Sequence, residues 1–415
     1  MSNETLLAEI RDRFAHVDSC PEAGPRVFFE NAGGALTLKA AVDASAYHAG
    51  VPDNPGRDNE MGRALVDVIG TAKSEAMTLL GASSGQVFVG ESGTELIFRM
   101  VMNACLGTEP GDVIGSTVEH PATRSASKRW AKVAGHRYLP VPHDNETGTV
   151  RAEHYAEVVT PETRVATILH TSPVTGMGMD VPAIVGAIRA VAPSCLVIVD
   201  GIQHAAHGDI SIDSYGVDGY AISPYKMFSR HGFGVAWISD RLTAVPHDAL
   251  EDGPEDHWEL GTRDAGCYAA FTAVPHYLDW LGSKVSDVSG RRARIEAAAA
   301  WIHEHETSLT DVMLHGTGNL QGLADLPGLT IVGGVDNPCR EGLVTFAVDG
   351  RSSPDVVTEL RHHGIRTHTR KADHYSGSVL KPLGLEDAVR VSLCHYNTKA
   401  EVAQFLAAMA EILAD

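Results

Sequence analysis

Cys195–Leu196–Val197–Ile198–Val199–Asp200–Gly201–Ile202–Gln203–His204, followed further on by Ser223–Pro224–Tyr225–Lys226, is the stretch that decides how this chain folds. Its apolar run Cys195–Val199 has no polar alternation, as a strand buried on both faces requires, and a carboxylate ends it. Ligands of open α/β sheets bind at the C-terminal ends of the strands, so Asp200 stands where a ligand-binding carboxylate would. Taken alone, the segment reads equally well as an Asp capping the next helix. Lys226 ends the following apolar run, 26 residues later. A loop lysine is ordinarily a solvated group, but one placed a single strand beyond such a carboxylate is costly to desolvate and well suited to Schiff-base chemistry.

The same pattern extends to both sides. Apolar runs at Gln86–Gly90, Asp112–Ser116, His136–Val141, Val165–His170, Gly219–Ser223 and Gly234–Ser239 join Cys195–Asp200. Between them, Glu95–Leu106, Thr123–Ala134 and Val181–Val191 carry helical periodicity. This alternation predicts an α/β fold, a mainly parallel seven-stranded sheet with helices on both faces. After about Gly261 the pattern changes to an Ala-rich helix over Val288–Glu304 and strands near Gly328–Val332 and Leu343–Val348. A helix at Pro354–His363, a strand at Val389–Cys394 and a closing helix at Lys399–Leu413 complete a smaller α+β unit. The expected division is a large domain over 25–275, with 1–24 and 276–415 forming the small one.

Composition narrows the function. The 415 residues are 44% hydrophobic and 21% charged, ordinary for a globular chain, and the formal charge is −20. Such a field disfavours nucleic acid and anionic membranes, so an anionic ligand must be captured by a few placed donors. The cysteines at 20, 105, 195, 267, 339 and 394 form no CxxC pair, which fits reduced thiols in a cytoplasmic protein. The first residues contain no signal-peptide apolar region, and no apolar run approaches the ~20 residues of a membrane span. His204 and His207 have i, i+3 spacing, but no carboxylate or third histidine joins them at a recognised spacing, so no metal is expected and packing or cofactor contact is the reading.

Two further segments carry chemistry. Gly90–Glu91–Ser92–Gly93–Thr94–Glu95 lies between a strand and a helix start, where backbone N–H groups and hydroxyls can face an anion or simply cap the helix. Glu119–His120–Pro121–Ala122 follows another strand, and its imidazole can lie on an aromatic ligand or pack as an ordinary side chain.

In this order the segments resemble the class V aminotransferase family of fold-type-I pyridoxal-phosphate (PLP) enzymes, which includes cysteine desulfurases, selenocysteine lyases and isopenicillin-N-epimerase-like proteins. The resemblance runs from Phe28–Phe29–Glu30–Asn31–Ala32–Gly33–Gly34 to Arg390–Val391–Ser392–Leu393–Cys394–His395–Tyr396–Asn397–Thr398. It implies Lys226 as the Schiff-base lysine, Asp200 paired with the pyridine nitrogen and His120 stacked on the ring, these three being the catalytic set. It further implies Gln203 near the phenolic oxygen, and Gly93, Thr94 and Ser223 on the phosphate, with Thr262 reaching that phosphate from a partner subunit across a homodimer interface. Arg390 matches the arginine for the substrate α-carboxylate; Arg366 and Asn31 are further substrate candidates.

The implied activity is that of a lyase or aminotransferase on a small amino acid, with an epimerase or racemase, or a catalytically silent binding protein, as alternatives. Cysteine desulfurases carry a catalytic cysteine in the loop here occupied by Thr367–Gly377, which has none, so persulfide formation is not expected. Cys394, placed four residues past Arg390 on the predicted strand, reads as a packed thiol. Pro173 occupies a segment where related enzymes often place an asparagine, so substrate handling is expected to differ.

Overall fold

The computed structural model describes residues 3–414 and gathers the seven apolar runs into one sheet. Along the chain its strands are Gln86–Gly90, Asp112–Ser116, Arg137–Val141, Thr163–Leu169, Leu196–Asp200, Gly219–Ile222 and Gly234–Ile238. Across the sheet they run first, seventh, sixth, fifth, fourth, second, third. Only Gly234–Ile238 is antiparallel to its neighbours, so the mainly parallel α/β reading holds. All of Leu196–Asp200 is buried, which is why that run lacks polar alternation. The helices that cover the sheet begin at side-chain caps: Ser92 accepts from the Glu95 amide, and Asp180 from that of Ala183.

The smaller unit is an antiparallel sheet ordered Leu329–Ile331, Leu343–Val348, Asp387–Ser392, His368–Lys371. Helices Ser353–His362 and Lys399–Ala414 pack on it through Val356, Leu360, Phe405 and Met409. The N-terminal helix Asn3–Arg11 docks on the same unit, where Arg11 Nη1 donates to the carbonyl of Tyr396 at 2.6 Å and to Glu401 at 3.1 Å. Val27–Phe28 pairs in parallel with Ile365–Arg366, which joins this segment to the small unit.

Helices at Lys39–Ala49, Glu60–Leu80 and Ala265–Val285 were not expected from the sequence. In the third, Pro275 interrupts the apolar period, yet Phe271, Val274, Leu278 and Leu281 are buried around it. The Ala-rich helix spans Arg291–His315, starting later and running further than expected. The strand carrying Arg390 ends at Ser392, so Cys394 lies beyond it and not on the strand as expected.

Candidate active site

The parallel strands deliver their C-terminal ends to one edge, and a small cleft opens there, at the position where ligands of open α/β sheets bind. Thr94, His120, Pro173, Asp200, Gln203, Ser223 and Lys226 all line it. Six of the eight residues expected to hold the cofactor, including the three catalytic candidates, are therefore brought together from four separate strand ends.

Lys226 ends a short 3₁₀ turn, Pro224–Lys226, that follows Ile222. The chain turns again at Phe228, whose φ of 65° lies in the left-handed region that costs a non-glycine residue roughly 1 kcal/mol or more. Packing against Phe14 and His395, at 5.6 and 4.9 Å between ring centres, holds it there, with the Leu38 amide donating to its carbonyl at 2.8 Å. No hydrogen bond or ion pair reaches the Lys226 amine from the described residues. Burial, then the positive charge of Arg390, push its pKa down to about 8; Asp200 opposes the shift and Arg370 adds to it.

Asp200 is buried and fixed on both oxygens: Thr123 Oγ1 donates to Oδ2 at 3.0 Å and the Ile202 amide to Oδ1 at 3.2 Å. Its neighbour Glu119 is a carboxyl that sequence reading passed over. Burial, followed by the Asp200 charge, raises it to about 8. His120 caps the helix Pro121–Ala134, its Nδ1 accepting from the Ala122 amide at 3.2 Å, and burial keeps its imidazole below the ordinary value.

The fit of PLP can be tested on three features. Gln203 lies with its amide nitrogen 3.1 Å from His207 Nε2, while its Oε1 is buried without a partner, so one end of the amide is free for a polar group in the cleft. Gly93 and Thr94 open the helix Gly93–Leu106, ahead of its first intrahelical bond from Leu96 to Ser92, and so leave amides for an anion. A Cβ on Gly93 would sit 2.4 Å from Ser223 Oγ and 2.5 Å from Ile202, so only glycine lets this turn approach Ser223 so closely. An amine with a lowered pKa, a carboxylate held ready, an unsatisfied amide and an anion cradle on one cleft match the donor set that the cofactor needs.

Other candidates are placed elsewhere. Asn31 does not line the cleft: its Nδ2 donates to Ser392 O at 2.7 Å and its Oδ1 accepts from Tyr396, so the amide fastens the N-terminal segment to the small unit. Arg366 is 56% exposed and paired with Glu30 at 2.6 Å, because its two-residue strand ends at the surface and not at the cleft. Thr262 lies in an exposed loop and does not line the cleft of its own chain. None of the six cysteines lines the cleft, and Cys394 is buried.

Arg390 is 3% exposed, and Nη1 donates to the carbonyl of Pro173 at 3.0 Å, tying the small unit to the cleft wall. Burial, then Arg370, pushes its pKa down to about 9. Arg370 is a second guanidinium whose charge reaches Lys226, and it went unmarked in the sequence, where it reads as one of several charges in a polar loop. His204 and His207 do find carboxylates, though from far along the chain. His204 Nδ1 lies 2.8 Å from Glu341 and His207 Nδ1 2.7 Å from Glu306.

The family model described as "Aminotransferase class-V" matches residues 27–405. The chain is 27% identical to the "Aminotransferase-like protein FGM3" of Gibberella zeae, over 99% of this chain and 100% of that protein. It is 26% identical to the "Cysteine desulfurase-like protein ustD" of Aspergillus flavus, over 94% of this chain and 88% of that protein. A "Probable cysteine desulfurase" of Pseudomonas putida is 26% identical over 92% and 93%. The fold is that of a solved cysteine desulfurase of Escherichia coli, with a TM-score of 0.78 at 23% identity over 98% of both chains. These names conflict with the expectation, drawn from the loop Thr367–Gly377 alone, that the chain is not a persulfide-forming desulfurase.

Proposed function

The chain belongs to the class V aminotransferase family of PLP-dependent enzymes, and on that premise we propose that it binds PLP on Lys226 and acts as a lyase or aminotransferase on a small amino acid. The observation that carries this reading is the convergence of Lys226, Asp200, Gln203 and Thr94 on one cleft, the lysine having a pKa near 8 and no anionic partner.

When bound, PLP supplies an electron sink for negative charge developing at the substrate Cα. Asp200, held by Thr123 and the Ile202 amide, presents a fixed carboxylate that favours a protonated pyridine nitrogen. The N-terminal amides of Gly93 and Thr94, with Ser223, hold the phosphate. Arg390 would bind the substrate α-carboxylate and so fix the orientation of the bonds at Cα. Lys226 accepts and returns the Cα proton, a role suited to an amine whose pKa lies close to neutral. Thr262, in its exposed loop, would complete the phosphate site of a partner chain in a homodimer. No described helix is long and apolar enough to cross a membrane, in keeping with a proposed cytoplasmic enzyme.

Borohydride reduction of the PLP-loaded protein followed by peptide mass spectrometry tests the reading. A phosphopyridoxyl group on Lys226, absent from Lys226→Ala, is the expected result. Attachment at another lysine would sink it. An amino-acid screen with product analysis, cysteine included, then separates keto-acid from elimination products and reveals any protein-bound sulfur.

A further inference from the structure

Two guanidinium groups stand beside the cleft with no carboxylate paired to them among the described residues. Arg390 bonds one carbonyl, its buried Nε has no partner, and no carboxylate lies within ion-pair distance among the described residues. Arg370 donates Nε to Ser376 Oγ at 2.8 Å and likewise has no ion pair among those residues. The register brings the two together: His368 faces Arg390 and Arg370 faces Ala388 across the antiparallel pair. Residues two apart on a strand share a face, so Arg370 and Arg390 are diagonal neighbours on the same side of the small sheet.

That side looks onto the cleft. The Arg370 guanidinium is 5.9 Å from the Tyr375 ring, and Tyr375 is 5.8 Å from His120, a cleft residue. The nearby carboxylates are already engaged. Glu30 is held by Arg366 at 2.6 Å and lies 3.2 Å from His368, while Asp373 accepts from the amides of Tyr375 and Ser376. Asp200 is fixed by Thr123 and Ile202.

A buried cation without a counter-charge is costly unless something anionic completes it. One α-carboxylate satisfies one guanidinium fork through its two oxygens, which leaves the second fork open. The phosphate cradle at Gly93, Thr94 and Ser223 sits on the large sheet and not on this face. We propose that the substrate is an amino acid whose side chain ends in a carboxylate, with Arg390 taking the α-carboxylate and Arg370 the side-chain one. This rests on the PLP reading above and specifies its substrate class.

The test is a spectral titration of holoenzyme with aspartate, glutamate, asparagine and alanine, repeated with Arg370→Gln and Arg370→Lys. The wild-type protein should bind aspartate or glutamate at least ~10-fold more tightly than asparagine or alanine. Arg370→Gln should bring that ratio close to one, Arg370→Lys should keep part of it, and raised salt should shrink it in the wild type. Equal affinity for aspartate and asparagine, or an undiminished ratio in Arg370→Gln, would overturn the proposal while leaving the PLP reading intact. A cofactor spectrum that no amino acid perturbs would overturn both.

Discussion

The cleft and the seam between the two units both bury charge, and they treat it in opposite ways. At the seam His207 meets Glu306 at 2.7 Å, and His204 meets Glu341 at 2.8 Å, with Thr171 donating to the same carboxylate. Buried Arg340 donates to the carbonyls of Thr175, Leu343, Val332 and Gly334. Burial alone would push His204 and His207 down, but the facing carboxylates outweigh it and both are raised. At the cleft Lys226, Arg370 and Arg390 have no such partners, and all three are lowered, chiefly by burial. A buried charge whose polar partners are in place, a carboxylate for each histidine and four carbonyls for Arg340, fastens structure; the cleft cations, with few such partners, make a seat for a ligand.

The seam allows the most forceful attempt to break this contrast. Glu306→Ala strands His207, and removing one member of a buried pair typically costs about 3–5 kcal/mol. Denaturant unfolding should show that loss, and His207→Leu in the same chain should restore part of it. Should Glu306→Ala unfold like the parent, the seam would not be held by charge.

The pH response of stability should follow from the same pairs. His204 and His207 have folded values above the ordinary 6.5, so their contribution is complete below that value and is lost as pH rises through the folded values. Glu341 is lowered: burial would raise it, but His204 overrides this, so its contribution is present above the ordinary 4.5 and fades as pH falls. Stability should therefore peak on the mildly acidic side of neutral, and His207→Gln should flatten the alkaline limb. A profile with an unchanged alkaline limb would count against the pairing.

At the cleft, Gly93→Ala sharpens the comparison. Its Cβ would press on Ser223 and Ile202, an overpacking worth ~1–3 kcal/mol, and PLP affinity should fall by roughly tenfold or more in fluorescence titrations. The smallest effect belongs to Arg366→Ala. This exposed pair should contribute below ~1 kcal/mol, and amino-acid affinity should stay within about twofold; a larger loss would return Arg366 to the substrate site.

Where sequence failed is as informative as where it succeeded. The His204/His207 spacing gave no carboxylate because Glu306 and Glu341 are 99 and 137 residues away from their partners. Asn31 sat in a motif that resembles a site, yet its amide fastens Tyr396 and Ser392. The helix Ala265–Val285 was hidden by Pro275, which breaks the period that reveals amphipathic helices. Arg370 looked like any loop charge, because nothing local tells whether a guanidinium meets water or a cleft.

By itself the sequence determined the alternating α/β order, the strand ends and the carboxylate and lysine that close two of them, since burial on both faces leaves a continuous apolar run that the next polar residue must end. Tertiary structure alone decided which charges are paired. Counter-charges come from distant segments through folding, and only their positions separate the seam that holds the units together from the cleft that waits for an anion.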